Sequence, residues 1–243
     1  MSIHGRRLPQ PGASRGAVPR SDGATAEWSV RTEPWPALTQ PRRAVAVLEL
    51  ALSLTGVGLA VFMVMHMGLL FSVLIGTTAM DTLAGFLERY YLLQIGVVFL
   101  LLFLLGHIFL SVRKVPASFR QQSTLLRHIR STRHLDTWTW AFQIVSGVAL
   151  LGLVAIHLWV ILTDLPVQAT KSGARVFQIY LWLYIPFILI VESHMSIGIY
   201  RMAVKWGILS RRLAHPILLV WTALVLALGF AILVTLYRVG GRL

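Results

Sequence analysis

The chain has 243 residues, of which 56% are hydrophobic and only 13% charged, against about 25% charged in an ordinary soluble domain; this composition is that of an integral membrane protein. It has no cysteine, which excludes disulfides, thiolate metal sites, iron–sulfur clusters and thioether-linked haem within the chain. The net charge of +13 collects between apolar runs, as membrane topology requires, so nucleic-acid binding is set aside.

Residues 1–40 are rich in Pro, Gly, Ser and Arg and contain no apolar run, which predicts a polar, loosely ordered tail and not a cleavable leader. Residues 41–243 form the expected transmembrane domain. Within it, mainly apolar runs of roughly 20 residues or more predict five spanning helices, near 45–71, 91–112, 138–162, 177–203 and 217–237. The fold class is therefore an all-α membrane bundle. The segment after the second run carries Arg113, Lys114, Arg120, Arg127, Arg130 and Arg133, whereas the segments after the first and third hold only Arg89, Lys171 and Arg175. Positive residues stay on the cytoplasmic side, which predicts a cytoplasmic N-terminus in a cell inner membrane; Arg238 and Arg242 are the discordant charges.

His66, His107, His157 and His194 fall one in each of the first four runs. Following the chain direction, His66 and His157 lie near the outer ends of their spans, and His107 and His194 near the inner ends. At 1.5 Å per residue the two layers are roughly 15–20 Å apart, too far for one metal ion to bind all four. Two separate two-histidine sites are implied. A pair of neutral imidazoles on facing helices is what a six-coordinate b-type haem requires. The outer histidines end a short internal repeat, TGVGLAVFMVMH and SGVALLGLVAIH, whose hydroxyl-Gly-Val triplet begins 11 residues before each. Gly56, Gly58, Gly147 and Gly152, with Gly96 and Gly106 in the second span, remove side-chain bulk where a flat ring approaches or where helices pack closely.

Glu192 lies well inside the fourth span, where a carboxylate is costly and marks a proton route or a buried partner. Two residues turn a helix by about 200°, so Glu192 points nearly opposite to His194. Intramembrane His and Glu also suit a haem-free proton-coupled transporter, although the chain has no inverted repeat with paired broken helices.

The segments FMVMHM, GHIFLSVRKVPASFRQ, RHLDTWTW with SGVALLGLVAIHLW, and VESHMSIGIYRMAVKWG carry a resemblance to a known family. The chain resembles the dihaem cytochrome b membrane subunit of quinol:fumarate reductases, related to succinate:quinone reductases, of the five-helix, single-anchor type. The resemblance implies a bundle enclosing two haem b groups, with His66 and His157 as axial iron ligands of the distal haem and His107 and His194 of the proximal one. It implies two partners on the cytoplasmic side, an iron–sulfur subunit and a flavoprotein with covalent FAD, where fumarate and succinate interconvert. This subunit would oxidise menaquinol near the distal haem and pass electrons inward, or run in reverse as part of a succinate:menaquinone reductase. Glu88, in FLERYY, matches the glutamate used for quinol oxidation, with Asp81 as a weaker alternative; Glu192 matches an acid on a proton pathway that compensates the charge moved. Trp140 and Lys205 match donors to the proximal propionates, and Arg175 is placed to serve the distal ones.

Overall fold

The computed structural model describes residues 42–115, 118, 120, 121, 123, 124, 127 and 135–243. The expected tail lies outside that set, as do His4, His128, His134, Arg130 and Arg133. The described residues are helical throughout their regular elements, with no strand.

α1 runs over Arg42–Ile75, α2 over Thr77–Arg89, α3 over Leu92–Val112 and α4 over Leu135–Leu162. The short α5, Ala169–Arg175, continues through a π-helical turn, Val176–Tyr180, into α6, Leu181–Lys205; α7 spans Arg211–Gly240. Five stretches are long and apolar enough to cross a membrane: Arg43–Ile75, Leu92–Val112, Thr137–Leu162, Ala169–Lys205 and Arg211–Gly240. This is a multi-pass membrane protein. Each expected span is found, most with a further turn or so at one or both ends. Large apolar side chains such as Phe109, Trp159 and Leu219 point outward, as a lipid-facing surface requires.

The connections contain two further helices, α2 and α5, too short to stand out as apolar spans. α2 forms because Met80 and Ala84, four residues apart, share one face and are buried there, while Thr78, Thr82 and Arg89 are exposed, together with Phe86. Asp81 Oδ1, on the same helix, accepts a hydrogen bond from the Ala169 N–H at 2.7 Å, satisfying an otherwise orphan donor at the start of α5. Pro186 sits inside α6, which continues through it. α6 ends sharply after Lys205: Gly207 takes φ 69°, its N–H bonds to Val204 O at 3.2 Å, and the Ile208 N–H reaches back to Ala203 O at 2.9 Å. That paired motif closes helices where a left-handed residue, best a glycine, follows the cap.

Packing neighbours run α3 on α1, α1 on α6, and α6 on α4, with α7 backing both α1 and α6 and also covering α5. α3 does not pack comparably on α4 or α6, nor α1 on α4. The four histidine-bearing helices therefore form an arc and not a closed ring.

Candidate functional site

His66 of α1 and His157 of α4 face each other with ring centroids 6.1 Å apart, at an angle of 72°. Phe62 stacks parallel to His66 at 6.0 Å, and Tyr184 and Phe187 of α6 pack on His157 at 5.9 and 5.2 Å. His157 Nδ1 is buried without a hydrogen-bond partner. Arg175, 8% exposed, interacts electrostatically with His157.

Arg175 is held from the loop before α5. Its Nε and Nη2 donate to Asp164 Oδ2 at 3.1 and 2.8 Å, and Nη2 also to the Asp164 carbonyl at 2.9 Å, while Nη1 is buried without a partner. Lys171 Nζ donates to Asp164 Oδ1 at 3.0 Å. The Lys171 ammonium and then the Arg175 guanidinium hold the Asp164 carboxyl below the usual carboxylate range.

In the inner layer each imidazole sits against the neighbouring helix. His107 Nδ1 is 3.2 Å from Thr55 Oγ1 of α1, and His194 Nδ1 is 2.8 Å from Ser146 Oγ of α4. A Cβ on Gly56 would stand 3.3 Å from His107 Cε1, and one on Gly147 would stand 3.3 Å from His194 Cε1. The two rings are close enough to interact electrostatically. Gln143 Nε2 donates to the His194 carbonyl at 3.1 Å and lies 3.2 Å from His194 Nε2. The other glycines differ in what they face. Gly58 makes room for the Phe103 ring, Gly106 meets Thr55 Cγ2 at 3.5 Å, and Gly152 faces open space.

These residues fit haem. Each histidine pair offers two imidazoles from helices that do not pack comparably on each other, with glycines where bulk would intrude and an unpartnered guanidinium nitrogen near the outer pair. Among the described residues no three or more His, Cys, Asp or Glu side chains gather to hold a metal ion, and the two imidazoles of each pair match in number what a macrocycle with four nitrogens would need.

Glu192 is 1% exposed and faces α7, whereas His194 faces α4. Ser196 Oγ donates to Glu192 Oε1 at 2.6 Å, and Thr222 Oγ1 of α7 donates to Ser196 Oγ at 2.9 Å. Glu192 Oε2 is buried without a partner. About two turns beyond Glu192 on α6, Tyr200 is buried with its ring 4.9 Å from His215 of α7.

Lys205 binds the Glu49 carboxylate of α1, which Lys114, just beyond α3, also binds at 2.5 Å; Lys205 Nζ lies 5.2 Å from the Trp206 ring. Trp206 Nε1 donates to Ser53 Oγ at 2.9 Å. Glu49 escaped the sequence reading, although an acid inside an apolar run is itself a signal. Trp140 is half-buried on α4, two residues past the start of the expected third span. Glu88 is half-buried in the last turn of α2, beside the Tyr90–Tyr91 turn where Tyr91 takes φ 57°. Asp81 is committed to Ala169.

The succinate dehydrogenase/fumarate reductase transmembrane subunit family matches residues 120–236. A fumarate reductase cytochrome b subunit of Helicobacter pylori is 38% identical over 173 residues, covering 67% of this chain and 68% of that one. A fumarate reductase cytochrome b subunit of Wolinella succinogenes is 34% identical over 175 residues, covering 68% of each.

Proposed function

Because the chain belongs to the succinate dehydrogenase/fumarate reductase transmembrane subunit family, we propose that it is the dihaem cytochrome b anchor of a quinol:fumarate reductase, oxidising menaquinol and delivering electrons to an iron–sulfur subunit and a flavoprotein on the cytoplasmic side of the inner membrane. The observation that carries this reading is the sorting of four imidazoles into two pairs, each on helices that do not pack comparably on each other. His66 and His157 would hold the distal haem b, His107 and His194 the proximal one. Bound there, the two haems supply one-electron carriers at two depths of the membrane.

The chain's own polar groups then handle charge and protons. Arg175, with Nη1 unpartnered and the rest of its guanidinium fixed by Asp164, offers a donor to the distal propionates. Lys205 and Trp140 serve the proximal ones, Lys205 by sharing its ammonium with Glu49. Glu88, at the membrane end of α2, accepts a proton from the quinol hydroxyl. Glu192 relays protons inward: a buried carboxyl with one oxygen bonded and one unpartnered can take a proton from one side and release it to another.

Purification of the intact complex tests the reading. It should contain two b-type haems per copy of this chain by reduced-minus-oxidised spectrum, a flavoprotein and an iron–sulfur subunit, and menaquinol-dependent fumarate reduction. Measuring succinate oxidation in the same preparation fixes the direction. A complex without b-type absorbance sinks the proposal.

A further inference from the structure

We infer that the hydroxyl–glycine steps of the internal repeat, Thr55–Gly56 and Ser146–Gly147, are seats that orient the inner pair of imidazoles, so that each copy of the repeat serves both layers: its hydroxyl positions an inner ligand on the neighbouring helix and its histidine is itself an outer ligand. This rests on the haem reading above and goes beyond it, because it assigns work to residues that touch neither iron nor substrate.

Thr55 Oγ1 lies 3.0 Å from the carbonyls of Ala51 and Leu52, and Ser146 Oγ lies 2.7 Å from the Phe142 carbonyl. Each hydroxyl has one proton, and in each case it is committed to the helix's own backbone. Toward the imidazole, 3.2 Å away for His107 and 2.8 Å for His194, each hydroxyl oxygen then keeps a lone pair that can accept. With the hydroxyl proton on its own backbone carbonyl, the proton between oxygen and ring is the one on Nδ1. In a neutral imidazole that leaves Nε2 with its lone pair free, which is the form that binds iron. The Gln143 amide, 3.2 Å from His194 Nε2, agrees, since it donates to that lone pair and would yield the position to the metal.

The adjacent glycine completes the seat. Its missing Cβ would stand 3.3 Å from the ring carbon Cε1 at both places, tighter than an ordinary contact, so an alanine would require the ring to give by a few tenths of an ångström. The same hydroxyl, the same glycine and the same distance thus recur on α1 against α3 and on α4 against α6. The outer layer lacks this device at His157, whose Nδ1 has no partner.

A hydrogen bond accepted from Nδ1 strengthens the imidazole as an electron donor to iron and favours the oxidised metal. In the intact complex, Thr55→Val and Ser146→Ala should therefore each raise the midpoint potential of the inner haem and shift its low-spin resonance signal, with the outer haem unmoved. The signal missing from a His107→Ala complex defines which haem is the inner one. Thr55→Ser, which keeps the hydroxyl, should behave as wild type. If Thr55→Val retains two haems at wild-type potential and signal, or if only the outer haem shifts, the inference is overturned. Loss of the inner haem from Thr55→Val but not from Thr55→Ser supports it; loss from both overturns it. A wild-type complex with no haem defeats the proposed function itself, and is recognised before any variant is made.

Discussion

Glu192 and His194 are two residues apart and answer to different helices, one bonded through Ser196 to Thr222 of α7 and the other to Ser146 of α4. Their separation was legible because helical geometry alone turns the two side chains to opposite faces. Replacing Glu192 by Gln keeps the shape and the Ser196 contact but removes the exchangeable proton. The expected result is two haems still bound and menaquinol-driven fumarate reduction reduced by about 10²–10⁴-fold, the range of a lost acid–base group. Fumarate reduction with an artificial donor that bypasses the quinol site is expected to persist. Wild-type menaquinol turnover in that variant would leave Glu192 a structural carboxyl. The histidines were readable for the same reason as Glu192: a polar group in an apolar run must be accounted for. Thr55 and Ser146 were not, because a hydroxyl inside a membrane helix ordinarily bonds its own backbone, and here it does that as well. Which ring its second lone pair meets depends on a neighbour 52 or 48 residues away. Glu49 hides its purpose in the same way, since its lysines come from 65 and 156 residues along the chain.

Spanning helices announce themselves by length and apolarity, which is why all five were legible; α2 and α5 do not, because 13 and 7 residues are too short to stand out by apolar length. α5 exists through what it touches. Gly173 and Gly240 bring the backbones of α5 and α7 into direct contact, such that a Cβ on Gly240 would meet the Gly173 carbonyl oxygen at 2.2 Å and one on Gly173 would meet Leu236 O and Gly240 N at 2.8 Å. Backbone on both sides leaves nothing flexible to yield. Gly240→Ala is expected to cost about 1–3 kcal/mol by overpacking. At roughly 2–4 °C per kcal/mol for a chain of this size, that is a measurable fall in the Tm of the purified complex. Gly85→Ala, exposed on α2 with nothing within 4 Å of an added Cβ, serves as the control and should leave the Tm no lower than wild type. The π-helical turn that follows α5 is similarly silent in sequence: it joins Arg175 to the start of α6 without breaking the helix, and no Gly or Pro marks it.

Across the whole molecule, the pairing of histidines by depth was accessible from counting along each span, but the arc of helices was not, because which apolar faces meet is decided by packing and apolar residues surround every helix here. The arc makes α3 and α4 its two free ends, each resting on one neighbour of the four. In lipid there is no hydrophobic drive to close such a gap, since hydrocarbon tails are as apolar as the side chains. The proposed ligand pairs are α1 with α4 and α3 with α6, the diagonals that have no comparable packing of their own. Cells restricted in haem synthesis are therefore expected to hold severalfold less of this chain in their membranes than haem-replete cells at equal transcript level, by immunoblot. An unchanged amount would mean that the helices close without haem.

On the proposed ligand pairs, the prosthetic groups would be crossbraces as well as carriers. Haem bound between those diagonal pairs would join helices that the polypeptide alone does not pack together. How much of this protein a membrane holds then becomes a question of tetrapyrrole supply, and a shortage of pigment would show itself first as a shortage of polypeptide.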